Sequence, residues 1–265
     1  MKMEEQYGND ALHGPSGIPS MRIAVTEKCD LKCRYCPTHG DSYRIRGGRL
    51  LDKDELVRAA CIAHDAGFRA FSITGGEPLL APDTTFNIAK TLRKCGELEY
   101  LRLNTNGLSL REYASQTAEN FDMVKISIDR LNTGTADSPG IHGSQSALEG
   151  LDSIKELGVL CRVNMVIGKS NLDAVPPMIV YCEEKAIGLK LLDMTRYRHT
   201  KSDDPDLWKK EFLSLSGTIK ELIRLYGPPI TRYSVGGYGN PMLVFKPERT
   251  LHNSSSGLIV IPSFI

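Results

Sequence analysis

The sequence predicts an α/β fold built on a parallel sheet, on three observations. Short β-like runs alternate with helical runs six times between Met21 and Leu192. The helical runs carry apolar residues at helical spacing, with a start signal clearest at Asp52. The polar motifs fall directly after the strands, at the carboxyl ends where parallel α/β sheets collect their ligands. Strands separated by helices require right-handed crossovers, and the sheet they form is either open or curled into a partial barrel.

Residues 21–26 form the first predicted strand. Asp52 opens a helix with Glu55 three residues on, the pattern of a capping box, and Leu56, Ala59, Ala60 and Ala63 give it an apolar face. Gly67 ends that helix, and 68–74 is the next strand. Helix 84–94 leads to strand 100–104, helix 110–120 to strand 123–128, helix 144–157 to strand 159–167, and helix 174–185 to strand 188–192. After Thr195 the pattern changes: 196–206 is polar and turn-rich, 207–226 reads as a long amphipathic helix, and 227–265 is rich in Gly, Pro and Ser. Short apolar runs at 242–245 and 258–261 interrupt that last stretch. The chain therefore divides into a flexible N-terminal arm (1–20), a core (21–195) and a C-terminal extension packed on the core (196–265).

Composition narrows the function classes. With 33 basic and 32 acidic residues the net charge is +1, which gives no support to coating nucleic acid or a membrane surface, so no nucleic-acid or membrane partner is expected. No apolar run approaches the roughly 20 residues that span a bilayer. The start of the chain, with Glu4, Glu5 and Asp10, lacks the basic and apolar stretches of a signal peptide. Seven cysteines, an odd number without an export signal, point to reduced thiols in the cytoplasm rather than a disulfide framework. Cys61, Cys95, Cys161 and Cys182 stand apart from one another and read as buried structural thiols.

The other three cysteines form Cys29-Asp-Leu-Lys-Cys33-Arg-Tyr-Cys36, directly after the first strand. Three thiolates on one short loop can hold three irons of a [4Fe–4S] cluster and leave the fourth iron open for chemistry. A purely electron-carrying cluster needs a fourth cysteine, and none lies nearby. The competing reading is a zinc site in which His39 completes a Cys3His set, in a binding protein without enzymatic activity.

The stretch Arg22-Ile-Ala-Val-Thr-Glu-Lys-Cys29, continued by Cys33-Arg-Tyr35-Cys36, resembles the signature of the radical S-adenosylmethionine (SAM) superfamily. Within it the core is most similar to the GTP 3',8-cyclases of molybdenum-cofactor biosynthesis. The resemblance implies a partial (β/α)6 TIM-like barrel with a short C-terminal extension. It implies a [4Fe–4S] cluster on Cys29, Cys33 and Cys36, with Tyr35 beside the third cysteine. It assigns SAM to the Thr74-Gly75-Gly76-Glu77-Pro78 turn, to Asn106 in the Thr105-Asn106-Gly107 turn, to Ser127 and to Thr195. SAM would chelate the open iron, and one electron would cleave it to methionine and a 5'-deoxyadenosyl radical that takes hydrogen from the substrate. The hard chemistry then belongs to the cofactors, so no catalytic side chain is assigned.

For the substrate, Arg22 matches a GTP-contacting arginine, Arg162 stands in place of a lysine, and Asn104 in place of a threonine. Ser72 replaces an arginine of the cyclases. Their second cysteine triad has no counterpart after Cys182, and two explanations are open: a cyclase cut short, or a diverged enzyme that works without a second cluster, which is the expectation favoured here. The implied substrate is a nucleotide or another small biosynthetic molecule; a peptide or natural product is the alternative. An electron donor such as flavodoxin or ferredoxin completes the expected partners.

Overall fold

The computed structural model describes residues 20–31, 33, 52–131, 145–167, 169–193, 231–235, 240–245 and 258–260. Six strands alternate with five helices: β1 (Ser20–Ala24), α1 (Lys53–Asp65), β2 (Ala70–Thr74), α2 (Pro82–Cys95), β3 (Tyr100–Thr105), α3 (Ala114–Asn120), β4 (Met123–Ser127), α4 (Gln145–Glu156), β5 (Leu160–Ile167), α5 (Val175–Glu184) and β6 (Gly188–Asp193). All six pair in sequence order and in parallel. The architecture is the expected partial barrel: among the described residues the sheet does not close on itself.

Three further strands, β7 (Thr231–Val235), β8 (Asn240–Phe245) and β9 (Leu258–Val260), continue this sheet beyond β6. The apolar runs expected at 242–245 and 258–261 thus become sheet strands, with β9 parallel to β6 and the other two antiparallel. The arm 1–19 and the helix expected at 207–226 lie outside the described residues.

Local chemistry sets the element ends. Asp52 caps α1, its carboxylate accepting from the amides of Asp54 (2.6 Å) and Glu55 (3.2 Å), a contact that stabilises such a helix by about 1 kcal/mol. Pro176 and Pro177 stand in the first turn of α5, where a missing amide proton costs nothing. The helix expected from residue 110 begins only at Ala114, because the turn after Asn106 takes up residues 107–113.

Side chains alternate across each strand and so divide the sheet into two faces. One face packs against the helices: Ile23, Phe71, Ile73, Leu101, Leu103, Val124, Ile126, Val163 and Leu189 meet Leu56, Phe86, Leu92, Leu151, Ile154 and Ile179 in one continuous core. The opposite face carries Arg22, Ser72, Arg102, Asn104, Lys125, Arg162, Asn164 and Lys190. Apart from Arg22, these side chains are buried or half-buried.

Two of the four isolated cysteines depart from expectation. Cys161 and Cys182 are buried in the core, and burial pushes each thiol up to about 12. Cys61 on α1 and Cys95 at the end of α2 are only half-buried, and their sulfurs lie 3.2 Å apart. Packing of α1 on α2 makes neighbours of residues 34 positions apart.

Candidate active site

The site grows from the carboxyl end of β1. Past Ala24 the chain keeps pairing with β2 and then with the turn that follows it. Val25 N–H donates to the Thr74 carbonyl (2.9 Å), Gly76 N–H to Thr26 (2.6 Å) and Glu77 N–H to Lys28 (2.7 Å). This ladder pins the loop that carries Cys29. It also explains the two glycines. A Cβ on Gly75, where φ is +150°, would stand 2.5 Å from the Thr26 carbonyl oxygen, and a Cβ on Gly76 would run into the Lys28 carbonyl. Lacking a Cβ, both glycines lie close against the chain's own cysteine loop.

Glu77 turns inward from this ladder and is 1% exposed. Its Oε1 accepts from the Leu79 amide (3.0 Å) and the Thr105 hydroxyl (2.7 Å), and its Oε2 from the Asn106 amide (2.6 Å). The carboxylate thereby fastens the turn after β2 to the turn after β3, and retains acceptor capacity for a cationic ligand group. Burial, the largest influence, pushes its carboxyl up to about 7 against the pull of these three donors. Between the ordinary value and pH 7 the folded chain therefore holds a proton that the unfolded chain releases, so stability falls as pH rises through that window. Urea unfolding of the metal-free chain is expected to show a loss of about 3 kcal/mol from pH about 5 to above 7, and Glu77→Gln to lack that slope.

Asn106 extends the network to the cysteine loop. Its side-chain amide donates to Asp30 Oδ1 (2.6 Å), while its Oδ1 accepts from the Leu108 amide (3.0 Å). Cys29 is exposed and Cys33 half-exposed, in contrast to the core thiols. The Leu31 amide donates to the Cys29 sulfur (3.4 Å). Partial burial of that sulfur raises its thiol above the ordinary value, with the Leu31 amide opposing. Accessible thiols on a backbone-pinned loop at the ligand end of a parallel sheet suit a metal cluster that must meet a second molecule. Among the described residues no group of three His, Cys, Asp or Glu side chains could hold a metal, and Cys36, Tyr35, His39 and Thr195 lie outside them.

Ser127 ends β4 beside Asn164 of β5, and Asn164 pairs in turn with Lys190 of β6. One step nearer the amino ends, Asn104, Lys125 and Arg162 form a row across β3, β4 and β5; next to it Arg22, Ser72 and Arg102 cross β1, β2 and β3. Five cations therefore share one face of the sheet, and four of them, Arg102, Lys125, Arg162 and Lys190, are at most 9% exposed. Among the described residues no acidic side chain belongs to that face of the six strands. The Arg102 guanidinium also lies 3.5 Å from the centre of the Tyr100 ring.

Of the expected site residues, the structure brings Gly76, Glu77 and Asn106 into one hydrogen-bonded group, with Gly75 close against Thr26 and Cys29 on the loop that Asn106 reaches through Asp30. It places Arg22, Asn104, Ser127 and Arg162 on the sheet face beneath. Arg102, Lys125, Lys190 and Asp30 were not foreseen. The signal for the first three is a lone cation in a strand otherwise apolar enough to be buried on both faces.

Comparison with known proteins agrees with this geometry. Residues 23–179 match the Radical SAM superfamily. The chain is 31% identical over 211 residues to a GTP 3',8-cyclase of Peptoclostridium acidaminophilum, covering 77% of this chain and 63% of that protein. It is 30% identical over 184 residues to a GTP 3',8-cyclase of Staphylococcus aureus, covering 66% of this chain and 54% of that protein. It thus spans less than two thirds of the length of these curated relatives. Among solved structures, Streptococcus suis SuiB bound to S-adenosylmethionine superposes with a TM-score of 0.54 at 20% identity, covering 65% of this chain and 40% of SuiB. More than half of the chain matches the superfamily, and its parallel partial barrel carries the cysteine loop at the carboxyl end of β1, so the chain belongs to the radical SAM superfamily.

Proposed function

We propose that this chain cleaves S-adenosylmethionine reductively at a [4Fe–4S] cluster and turns the resulting radical on a phosphorylated small molecule, a nucleotide. The observation that carries the substrate reading is the set of five cations, Arg22, Arg102, Lys125, Arg162 and Lys190, on the sheet face below the cysteine loop. Buried cations bind phosphate oxygens through charge-assisted hydrogen bonds in a medium that screens them little. The cyclase relatives favour a nucleotide among phosphorylated molecules.

Cys29, Cys33 and Cys36 would ligate the cluster, which when bound supplies the electron that opens the sulfonium bond of SAM. Glu77, held between Leu79, Thr105 and Asn106, presents a carboxylate to the amino group of SAM. Ser127 and Thr195 complete the SAM contacts. Asn104, Arg22 and Arg162 face the substrate. A small electron carrier such as flavodoxin or ferredoxin provides the reducing equivalent, in the reduced cytoplasm that the thiols call for. No helix of the described residues is long and apolar enough to cross a membrane.

Calorimetry on the anaerobically reconstituted protein tests the substrate reading. A nucleoside triphosphate should bind at least about tenfold more tightly than its nucleoside, since each charge-assisted bond contributes roughly 1.5–3 kcal/mol, and the difference should shrink as salt rises. Equal affinities for the two would remove phosphate from the proposal.

A further inference from the structure

The cysteine loop needs a fixed position, yet its backbone ladder to the turn after β2 stops at Lys28, one residue short of Cys29. Asp30 is exposed and lies between the first two cysteines. Its Oδ1 accepts from the Asn106 side chain at 2.6 Å, and the same oxygen lies 4.0 Å from the Cys29 sulfur. At the other end Asn106 is only 6% exposed. Its backbone amide is bound to Glu77 (2.6 Å), and its side-chain oxygen is engaged by the Leu108 amide (3.0 Å). The side-chain amide of Asn106 is thus committed to the chain at both its oxygen and its nitrogen.

We propose that Asp30 and Asn106 form a strut that holds the cysteine loop over the turn after β3, and that the Asp30 carboxylate also sets the reduction potential of the cluster. Asp30 is a positioning residue, acting through Cys29 and the loop rather than by touching SAM or substrate, and the proposal rests on the reading of Cys29 and Cys33 as cluster ligands. The strut fixes the loop because its inner end is buried and bonded to Glu77 and Leu108, whereas its outer end is exposed. The charge works differently. A negative group about 4 Å from a ligand sulfur favours the oxidised cluster, so it makes reduction harder. Position and charge can therefore be separated by substitution: asparagine at position 30 keeps an acceptor for Asn106 and removes the charge, whereas alanine removes both.

The test compares the parent chain, Asp30→Ala and Asp30→Asn. Three quantities are read: the rate of iron release to a chelator after reconstitution, the midpoint potential by EPR titration, and deuterium uptake of the 26–31 segment in the metal-free chain. Partners outside the ligand sphere typically change metal retention tenfold or more, so Asp30→Ala should release iron about tenfold faster. It should also take up more deuterium over 26–31. Asp30→Asn should match the parent in iron release and uptake while its midpoint moves to a more positive value. Parent-like release and uptake in Asp30→Ala would overturn the strut, as would an Asp30→Asn variant that behaves like Asp30→Ala. An unchanged midpoint in Asp30→Asn would overturn the electrostatic half. A parent that takes up no iron–sulfur cluster would end the proposed function instead, and the deuterium comparison would still decide whether the strut exists.

Discussion

Gly76→Ala is expected to lose its iron after anaerobic reconstitution and to unfold more readily than the parent, by about 3 kcal/mol in urea. The methyl group would overlap the Lys28 carbonyl, with its carbon 2.6 Å away and the Glu27 carbonyl oxygen at 2.7 Å. These are backbone atoms, which cannot swing aside as the end of a side chain can. The loop would have to leave the turn, and with it would go the bonds from Gly76 to Thr26 and from Glu77 to Lys28. Gly158→Ala serves as the control. Gly158 has φ +78° with nothing within 4 Å of an added Cβ, at the opposite end of the sheet, just before β5. Alanine there meets only left-handed backbone strain, about 1–2 kcal/mol, and should leave iron content at the parental level. If Gly76→Ala holds a full complement of iron, the ladder does not position the loop.

The second large effect is expected on the cationic face. Arg162 is 2% exposed and adjoins Lys125 in register across β4 and β5. Arg162→Met and Lys125→Met should each weaken nucleoside triphosphate binding by about tenfold to a hundredfold, the loss of roughly 1.5–3 kcal/mol of charge-assisted hydrogen bonding. Folding should survive, because an apolar residue of similar volume is often tolerated where a buried ion stood. Lys90→Met, an exposed change on α2, should have no effect on binding. Parental affinity in Arg162→Met, measured by calorimetry, would move the phosphates off this face.

The features that carry these effects are unequally legible in the sequence. The alternation of strands and helices is written in the apolar runs, which need no tertiary information, and Asp52 announces its helix because a cap acts within four residues. The loop of Cys29 and Cys33 is likewise local. Gly75 and Gly76 announce a close approach but not its object, since Thr26 and Lys28 lie nearly fifty residues earlier and reach the turn only through the parallel pairing of β1 with β2. The cationic face is hidden for the same reason. Arg102, Lys125 and Lys190 sit singly in separate strands, and only the register brings them onto the face that carries Arg162. Asp30 looks like ordinary loop filler until Asn106, 76 residues on, reaches it. The Cys61–Cys95 contact depends on how two helices pack. Periodicity along one helix carries no trace of it.

Reduction of the anaerobically reconstituted protein with dithionite in the presence of SAM, followed by chromatography for 5'-deoxyadenosine, asks whether this chain cleaves SAM. 5'-Deoxyadenosine should form, Cys33→Ala should abolish it, and His39→Ala should leave cluster assembly largely intact because three thiolates suffice. A protein that instead holds stoichiometric zinc, loses it in His39→Ala and leaves SAM uncleaved would be a zinc-stabilised binding protein and not a SAM-cleaving enzyme.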